Sequence, residues 1–300
     1  MDSSEKLTKH EEFWSKFDHE NEIFAKIQKQ CVRRDTEVKT ILNLINARAS
    51  SIALFISGNT GTGKTHTVKT VFRCTNVTHS VVNCVETYTP QLVYEKILSD
   101  FCCTEGWTSC TTMMDFVRIL KTSKNITSSN EVHYILFDKA ERLRKLDDHV
   151  LSSFLRISEL TRLNIGVALI TELVLEKFFP TTGFNTPLPV HFGDYTKQDV
   201  IAILELDCPD SHSIDFYSPY CRLVVDVFYM VCRDVKELRH LASVNFFKYC
   251  EPVKNKEVQA NEVAKLFQKM VPYLKKALQT VYLREVRFRH LERLVRSLVF

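Results

Sequence analysis

Gly58-Asn59-Thr60-Gly61-Thr62-Gly63-Lys64-Thr65 satisfies the spacing G-x-x-x-x-G-K-[ST] in full. Each fixed position has a chemical reason. Glycines let successive backbone N–H groups turn inward and approach phosphate oxygens closely. Lys64 adds a mobile positive charge for β- and γ-phosphates, and Thr65 adds a hydroxyl for Mg2+. A helix beginning near Thr65 would point the positive end of its dipole at the same phosphates. The chain has only seven glycines, and three of them fall in this stretch. The chemistry implied is capture of a nucleoside triphosphate.

A phosphate loop of this kind needs a second motif, an apolar strand ending in an acid that helps hold the metal. Tyr134-Ile135-Leu136-Phe137-Asp138 supplies it about seventy residues downstream. Asp138 and Thr65 are therefore the expected Mg2+ residues. Brisk hydrolysis requires a base beside that acid, commonly a glutamate. Here the next residue is Lys139, and an ammonium of unperturbed pKa ~10.4 is a poor base near neutrality. Glu141 lies three positions after Asp138 and is not expected to replace that base. Binding with weak or absent hydrolysis is the reading that follows.

These residues need a sheet to hold them. Ser51–Ser57 is a short apolar run bounded by turn signals and reads as a buried strand, with Thr65–Phe72 as the helix after the loop. Further strands are expected at Ser80–Val85, Val132–Phe137, Ile165–Ile170 and around Val190–Phe192. Helices are expected at Gln91–Phe101, Met113–Lys121, Asp147–Leu160 and Glu172–Phe178. Such alternation predicts an α/β fold: a parallel sheet with helices on both faces. After Tyr195 no strand is evident. Thr196 followed by Asp199 resembles a helix N-terminus, opening a run of helices punctuated by Pro209, Pro219, Pro252 and Pro272. The expected organisation is an N-terminal helical, polar extension (1–30), a nucleotide-binding domain (31–195), a helical domain (196–285) and a basic amphipathic tail (286–300). In the extension, Phe13, Phe17, Phe24 and Ile27 recur at near-helical spacing, as a docking helix or a frayed terminus would.

Composition excludes several classes. With 45% hydrophobic and 25% charged residues, the chain is neither disordered nor a collagen-like repeat nor a small stapled scaffold. The 40 Lys+Arg and 36 Asp+Glu leave a net of +4, which gives no global electrostatic case for a module that grips nucleic acid alone. Ten cysteines are scattered without any C-x-x-C pair, so they read as reduced, buried small hydrophobes rather than zinc ligands. The first thirty residues mix acids and bases, and no apolar run approaches the ~18–20 residues of a membrane span. A soluble protein of the cell interior or nucleus is expected, with no membrane partner.

Several segments carry a more specific likeness. Val82-Asn83-Cys84, Leu136–Arg144 (LFDKAERLR), Val227–Ala242 (VFYMVCRDVKELRHLA), Asn245–Pro252 (NFFKYCEP) and Leu274–Glu285 (LKKALQTVYLRE) resemble the origin recognition complex subunit 5 family of AAA+ initiators. The resemblance runs from about Cys31 to Glu285 and is looser around 102–130 and 181–189. It implies a P-loop AAA+ domain followed by an all-helical lid. It also implies an ATP-binding, largely non-hydrolysing member of a hetero-oligomeric ring with other origin recognition complex subunits. Such a ring encircles replication-origin DNA in the nucleus. Carried over by position, the loop residues hold the phosphates, Thr65 and Asp138 hold Mg2+, and Lys139 fits the family's pattern. Thr171, closing the fourth strand, stands where AAA+ proteins place a polar γ-phosphate sensor. Lys236 stands where related initiators carry a lid sensor arginine; a solvated helix charge is its alternative.

Two departures matter. Between Thr171 and Tyr195 there is no arginine. Phe179, with Lys177 nearby, takes the place where a ring member commonly offers an arginine to its neighbour's ATP. A phenyl ring does not stabilise phosphate charge, which argues against a trans-acting role. Full-length family members also carry a C-terminal winged-helix-type domain, for which 300 residues leave no room. In 286–300, Arg287, Arg289, Arg293 and Arg296 alternate with Leu291, Leu294, Val295 and Leu298. That tail reads as a solvated helix end or altered terminus, with DNA contact as the alternative. The competing reading of the whole chain is an active AAA+ P-loop ATPase of the loader or remodeller type.

Overall fold

The computed structural model describes residues 21–46, 53–102, 110–123, 126, 132–146, 148–178 and 186–298. It divides into two compact units, Met1–Gly193 and Asp194–Phe300.

The first unit is built on five parallel strands: β1 (Leu54–Gly58), β2 (His79–Asn83), β3 (His133–Asp138), β4 (Ile165–Thr171) and β5 (Leu188–Phe192). Their order is β2-β3-β4-β1-β5. β1 and β4 are buried at every position, as strands covered on both faces are. Side chains alternate between the two faces. Phe55, Ile135, Phe137, Val167 and Leu169 enter one core, while Leu54, Ile56, Leu136, Ala168 and Ile170 enter the other. This period of two separates the two helical layers.

One layer holds α1 (residues 21–30), α2 (Asp35–Asn46) and α3 (Lys64–Cys74), which contribute Ile27, Ile41, Val68 and Phe72. The other holds α4 (Pro90–Cys102), α5 (Met113–Thr122), α6 (Asp148–Leu155) and α7 (Ile157–Thr161). There Phe154 meets Phe137 edge-on at 4.9 Å and Phe116 at 5.8 Å. Each such buried ring contributes ~1.5–3 kcal/mol of apolar burial. A four-residue helix, α8 (Leu175–Phe178), adds Phe178 against Phe55 at 5.2 Å. β5 is an edge strand, and Pro189 within it lacks the N–H that would recruit a further strand.

The structure departs from the sequence expectations at several places. Residues 21–30 are helical and Ile27 is fully buried, so this part of the extension is core rather than a frayed end. Phe13 and Phe17 lie outside the described residues. The helix expected over 147–160 is two helices broken at Arg156, and the one expected over 172–178 is confined to Leu175–Phe178. A 3-10 helix at Ala140–Lys145 was not anticipated.

The second unit contains helices only, among the described residues: α9 (Lys197–Glu205), α10 (Ile214–Phe228), α11 (Val235–Lys254) and α12 (Val263–Leu298). Thr196 and Asp199 form a reciprocal capping box at the start of α9, satisfying two otherwise orphaned N–H donors. Three of the four prolines do not punctuate the helices but lie inside them: Pro219, Pro252 and Pro272. Pro252 sits in the last turn of α11, where its carbonyl accepts from Glu257 and Val258. In the core, the buried Tyr220 hydroxyl donates to the Ala242 carbonyl at 2.6 Å, tying α10 to α11. The backbone of the expected basic tail continues α12 as far as Leu298. No described helix is long and apolar enough to cross a membrane. The nine described cysteines are free, and Cys31, Cys84, Cys110, Cys221, Cys232 and Cys250 are buried.

Candidate functional site

β1 is an interior strand between β4 and β5, and the chain leaves its carboxyl end directly into the glycine loop. Crossovers to β2 on one side and β5 on the other open a crevice at that edge, the usual ligand position in α/β sheets. Gly58 comes so close to β5 that a Cβ there would stand 2.4 Å from the Phe192 carbonyl oxygen. Gly63 is the N-cap of α3 with φ 79°, in the left-handed region, which glycine enters at no steric cost. The loop is therefore shaped by residues without side chains at its two tightest points.

Lys64 is only 8% exposed. Its ammonium donates to the carbonyls of Gly58 at 2.8 Å and Asn59 at 2.6 Å, so the charge is folded into the loop. The Thr62 hydroxyl donates to the Asn59 carbonyl at 2.8 Å, closing the turn. Thr65, in the first turn of α3, donates from Oγ1 to Asp138 Oδ1 at 2.8 Å. Asp138 closes β3 and also has Lys69 Nζ at 3.9 Å. A hydroxyl and a carboxylate at this spacing fit Mg2+, which takes few protein oxygens and keeps waters or phosphate oxygens in the remaining positions. Among the described residues no cluster of three or more His, Cys, Asp or Glu forms a metal cage.

Thr171 ends β4 beside Ser57 of β1 in register, while Asp138 pairs with Ile170. It is 1% exposed. Its hydroxyl donates to Glu141 Oε2 at 2.9 Å and accepts from the Leu173 N–H at 3.1 Å. From the sequence Glu141 is not expected to act as a base. The structure nonetheless brings it into the site as the partner of Thr171. Lys139 adopts a left-handed backbone, φ 56°, at the start of the 3-10 helix. The carboxylates leave a mark on their neighbour Cys84: burial, then Asp138 and Glu141, push its thiol up to about 12.

Arg34, at the start of α2, was not singled out in the sequence. It is 4% exposed and donates to the carbonyls of Thr62 at 2.9 Å and Gly193 at 2.6 Å. A lone arginine far upstream of the loop carries no motif by which to find it.

The structure thus gathers the whole of Gly58–Thr65, Asp138 and Thr171 on one edge of the sheet. Lys236 belongs to the second unit. It lies in the first turn of α11, exposed, with its backbone N–H bonded to Asp234 Oδ1 at 2.8 Å. Phe179 lies outside the described residues.

Comparison with known proteins assigns this architecture. The family model for "ORC5, lid domain" matches residues 217–284. The chain is 42% identical over 267 residues to origin recognition complex subunit 5 of Homo sapiens, covering 84% of this chain and 60% of that protein. It is 30% identical over 279 residues to the same subunit of Drosophila melanogaster, covering 84% and 61%. The match therefore spans about three fifths of those relatives' length. Among solved structures, a chain from Drosophila ORC bound to DNA superposes with a TM-score of 0.76 at 29% identity, covering 87% of this chain and 71% of that one. Cdc6p from Pyrobaculum aerophilum superposes with a TM-score of 0.50 at 15% identity, covering 70% and 64%, which shows a shared fold.

Proposed function

We propose that this chain, a member of the origin recognition complex subunit 5 family, is an ATP-binding subunit of an origin recognition complex, supporting ATP-dependent binding of replication-origin DNA with little or no hydrolysis of its own. One observation carries the reading: the glycine loop, Thr65 and Asp138 converge at the end of β1 and β3, while the residue after Asp138 is a lysine.

Each residue has a distinct part. The backbone N–H groups of Gly61, Thr62, Gly63 and Lys64, with the N-terminus of α3, receive the phosphate oxygens. Lys64 exchanges the carbonyls of Gly58 and Asn59 for phosphate, trading partial charges for full ones. Thr65 and Asp138 hold Mg2+, which when bound neutralises charge shared between the β- and γ-phosphates. Thr171 reads the γ-phosphate from β4, and Lys236 of the lid domain is the sensor candidate that the family resemblance supplies. Lys139 offers no acceptor for a water proton, so ATP persists and acts as a ligand that orders an interface rather than as a fuel.

The partners are other origin recognition complex subunits in a hetero-oligomeric ring, with origin DNA met through the complex, in the nucleus. Support comes from the 42% identical subunit 5 and from the likeness to the DNA-bound Drosophila complex. The domains proposed are 31–195 for nucleotide binding and 196–285 for the lid, with 286–300 as a tail; of the 1–30 extension, residues 21–30 pack into the core of the first unit. Co-expression with the remaining subunits of the complex tests this. Co-purification that depends on ATP and is lost with Lys64→Ala is expected; failure to join them in ATP would refute it.

Glu141 favours a second reading, an active AAA+ ATPase, because it puts a carboxylate on the sensor threonine. Under that reading, purified chain releases phosphate steadily and Glu141→Gln stops it.

A further inference from the structure

The glycine loop has a contact that neither its own sequence nor the sheet supplies. Arg34 enters from the start of α2, nearly thirty residues upstream, and donates from one Nη2 to both the Thr62 and Gly193 carbonyls. Its other nitrogen, Nη1, pairs with Glu37 at 2.8 Å. The guanidinium also lies over the Phe192 ring, 5.2 Å from the centroid. All these groups belong to the first unit. A single cation thus ties α2, the phosphate loop and the residue after β5 together beneath the loop.

We infer that Arg34 is a positioning residue for phosphate capture, acting through the Thr62 carbonyl; this rests on the nucleotide-binding reading above. Each peptide unit that turns its N–H toward a phosphate turns a carbonyl the other way. Those outward carbonyls need donors, or the loop turns back to satisfy them. Thr62 lies in the middle of the Gly61–Lys64 stretch whose N–H groups do the binding. Arg34 takes its carbonyl in a charge-assisted bond. Gly193 anchors the same nitrogen to the sheet edge that Gly58 packs against through Phe192. Glu37 pairs with the buried guanidinium, so its charge is not left uncompensated.

The test measures Mg-ATP affinity and nucleotide-free melting in parallel, on the full chain, for wild type, Arg34→Met, Arg34→Lys and Phe192→Leu. Arg34→Met keeps the length of the stem and removes the charge. A rise in Kd on the order of tenfold or more is expected for its folded form, alongside a lower nucleotide-free melting temperature, since removing one partner of a buried pair is itself destabilising. Arg34→Lys is expected between it and wild type, since an ammonium keeps the charge but not the fork. Phe192→Leu keeps the guanidinium and removes its platform, with a Kd rise of about two- to threefold expected. Hydrogen exchange at residues 58–64 gives a local readout, faster in Arg34→Met. A purely structural role would lower melting of Arg34→Met sharply while folded protein bound Mg-ATP with wild-type Kd, and that result overturns the inference. Equal Kd for all four proteins also overturns it. No Mg-ATP binding by wild type would instead overturn the nucleotide reading itself.

Discussion

Thr65 and Asp138 touch at 2.8 Å with nothing between them, and a hydroxyl that donates to a carboxylate is already placed to share a cation with it. Thr65→Ala and Asp138→Asn are expected to leave nucleotide binding weaker and insensitive to Mg2+; calorimetric titration with and without the metal checks this. Gly58 answers to geometry alone. Gly58→Ala drives a methyl into the Phe192 carbonyl, and a loss of more than ~1 kcal/mol in denaturant melts is expected. Glu37 supplies a pH dependence. Burial by itself would raise its pKa, but hydrogen bonds from Thr36 and Arg34, with Arg34's charge, hold it below the ordinary value. A depressed carboxyl stabilises the folded state above its unfolded pKa, ~4.3, and that contribution fades as pH falls through the folded value. The melting gap between wild type and Glu37→Gln is expected to be full near pH ~7 and to close below pH ~4.

Elements were legible where hydrophobicity and punctuation agree. The runs at Leu54–Gly58, His133–Asp138 and Ile165–Thr171 are apolar, short and bounded by polar residues, so β1, β3 and β4 stand close to where the sequence puts them. Thr196 and Asp199 mark α9 because a capping box is a local interaction written in four residues. What was missed depends on tertiary partners. No glycine or proline marks the break at Arg156, and nothing in the local sequence explains it. Pro219, Pro252 and Pro272 read as stops because a proline removes one hydrogen bond, yet each lies within a helix, Pro252 in its last turn. In the site, the loop and Asp138 are legible from spacing, and Thr171 only through the family resemblance; Glu141's partner and Arg34's reach are not, since both are contacts between distant elements. The sandwich of helices about the sheet makes Phe154 a sensitive position, ringed by Tyr94, Phe116 and Phe137. Phe154→Ala is expected to cost ~3–5 kcal/mol in chemical denaturation, and a cost below ~1 kcal/mol would contradict the packing described.

Across the whole molecule the two units carry separate cores, and the net charge is only +4. Affinity for duplex DNA grows with the number of phosphates neutralised and falls steeply with salt. The isolated chain is therefore expected to bind duplex DNA weakly at physiological salt, as fluorescence anisotropy would show, and the complex to supply the grip. Under the proposed function, ATP that binds the native form and is not hydrolysed would stabilise it by mass action. The most direct measurement follows bound nucleotide and free phosphate on one sample of purified chain in Mg-ATP. One ATP held per chain, lost with Lys64→Ala, with no phosphate released above that variant, is the expected result. Steady phosphate release abolished by Lys64→Ala, or no ATP held at all, would contradict it.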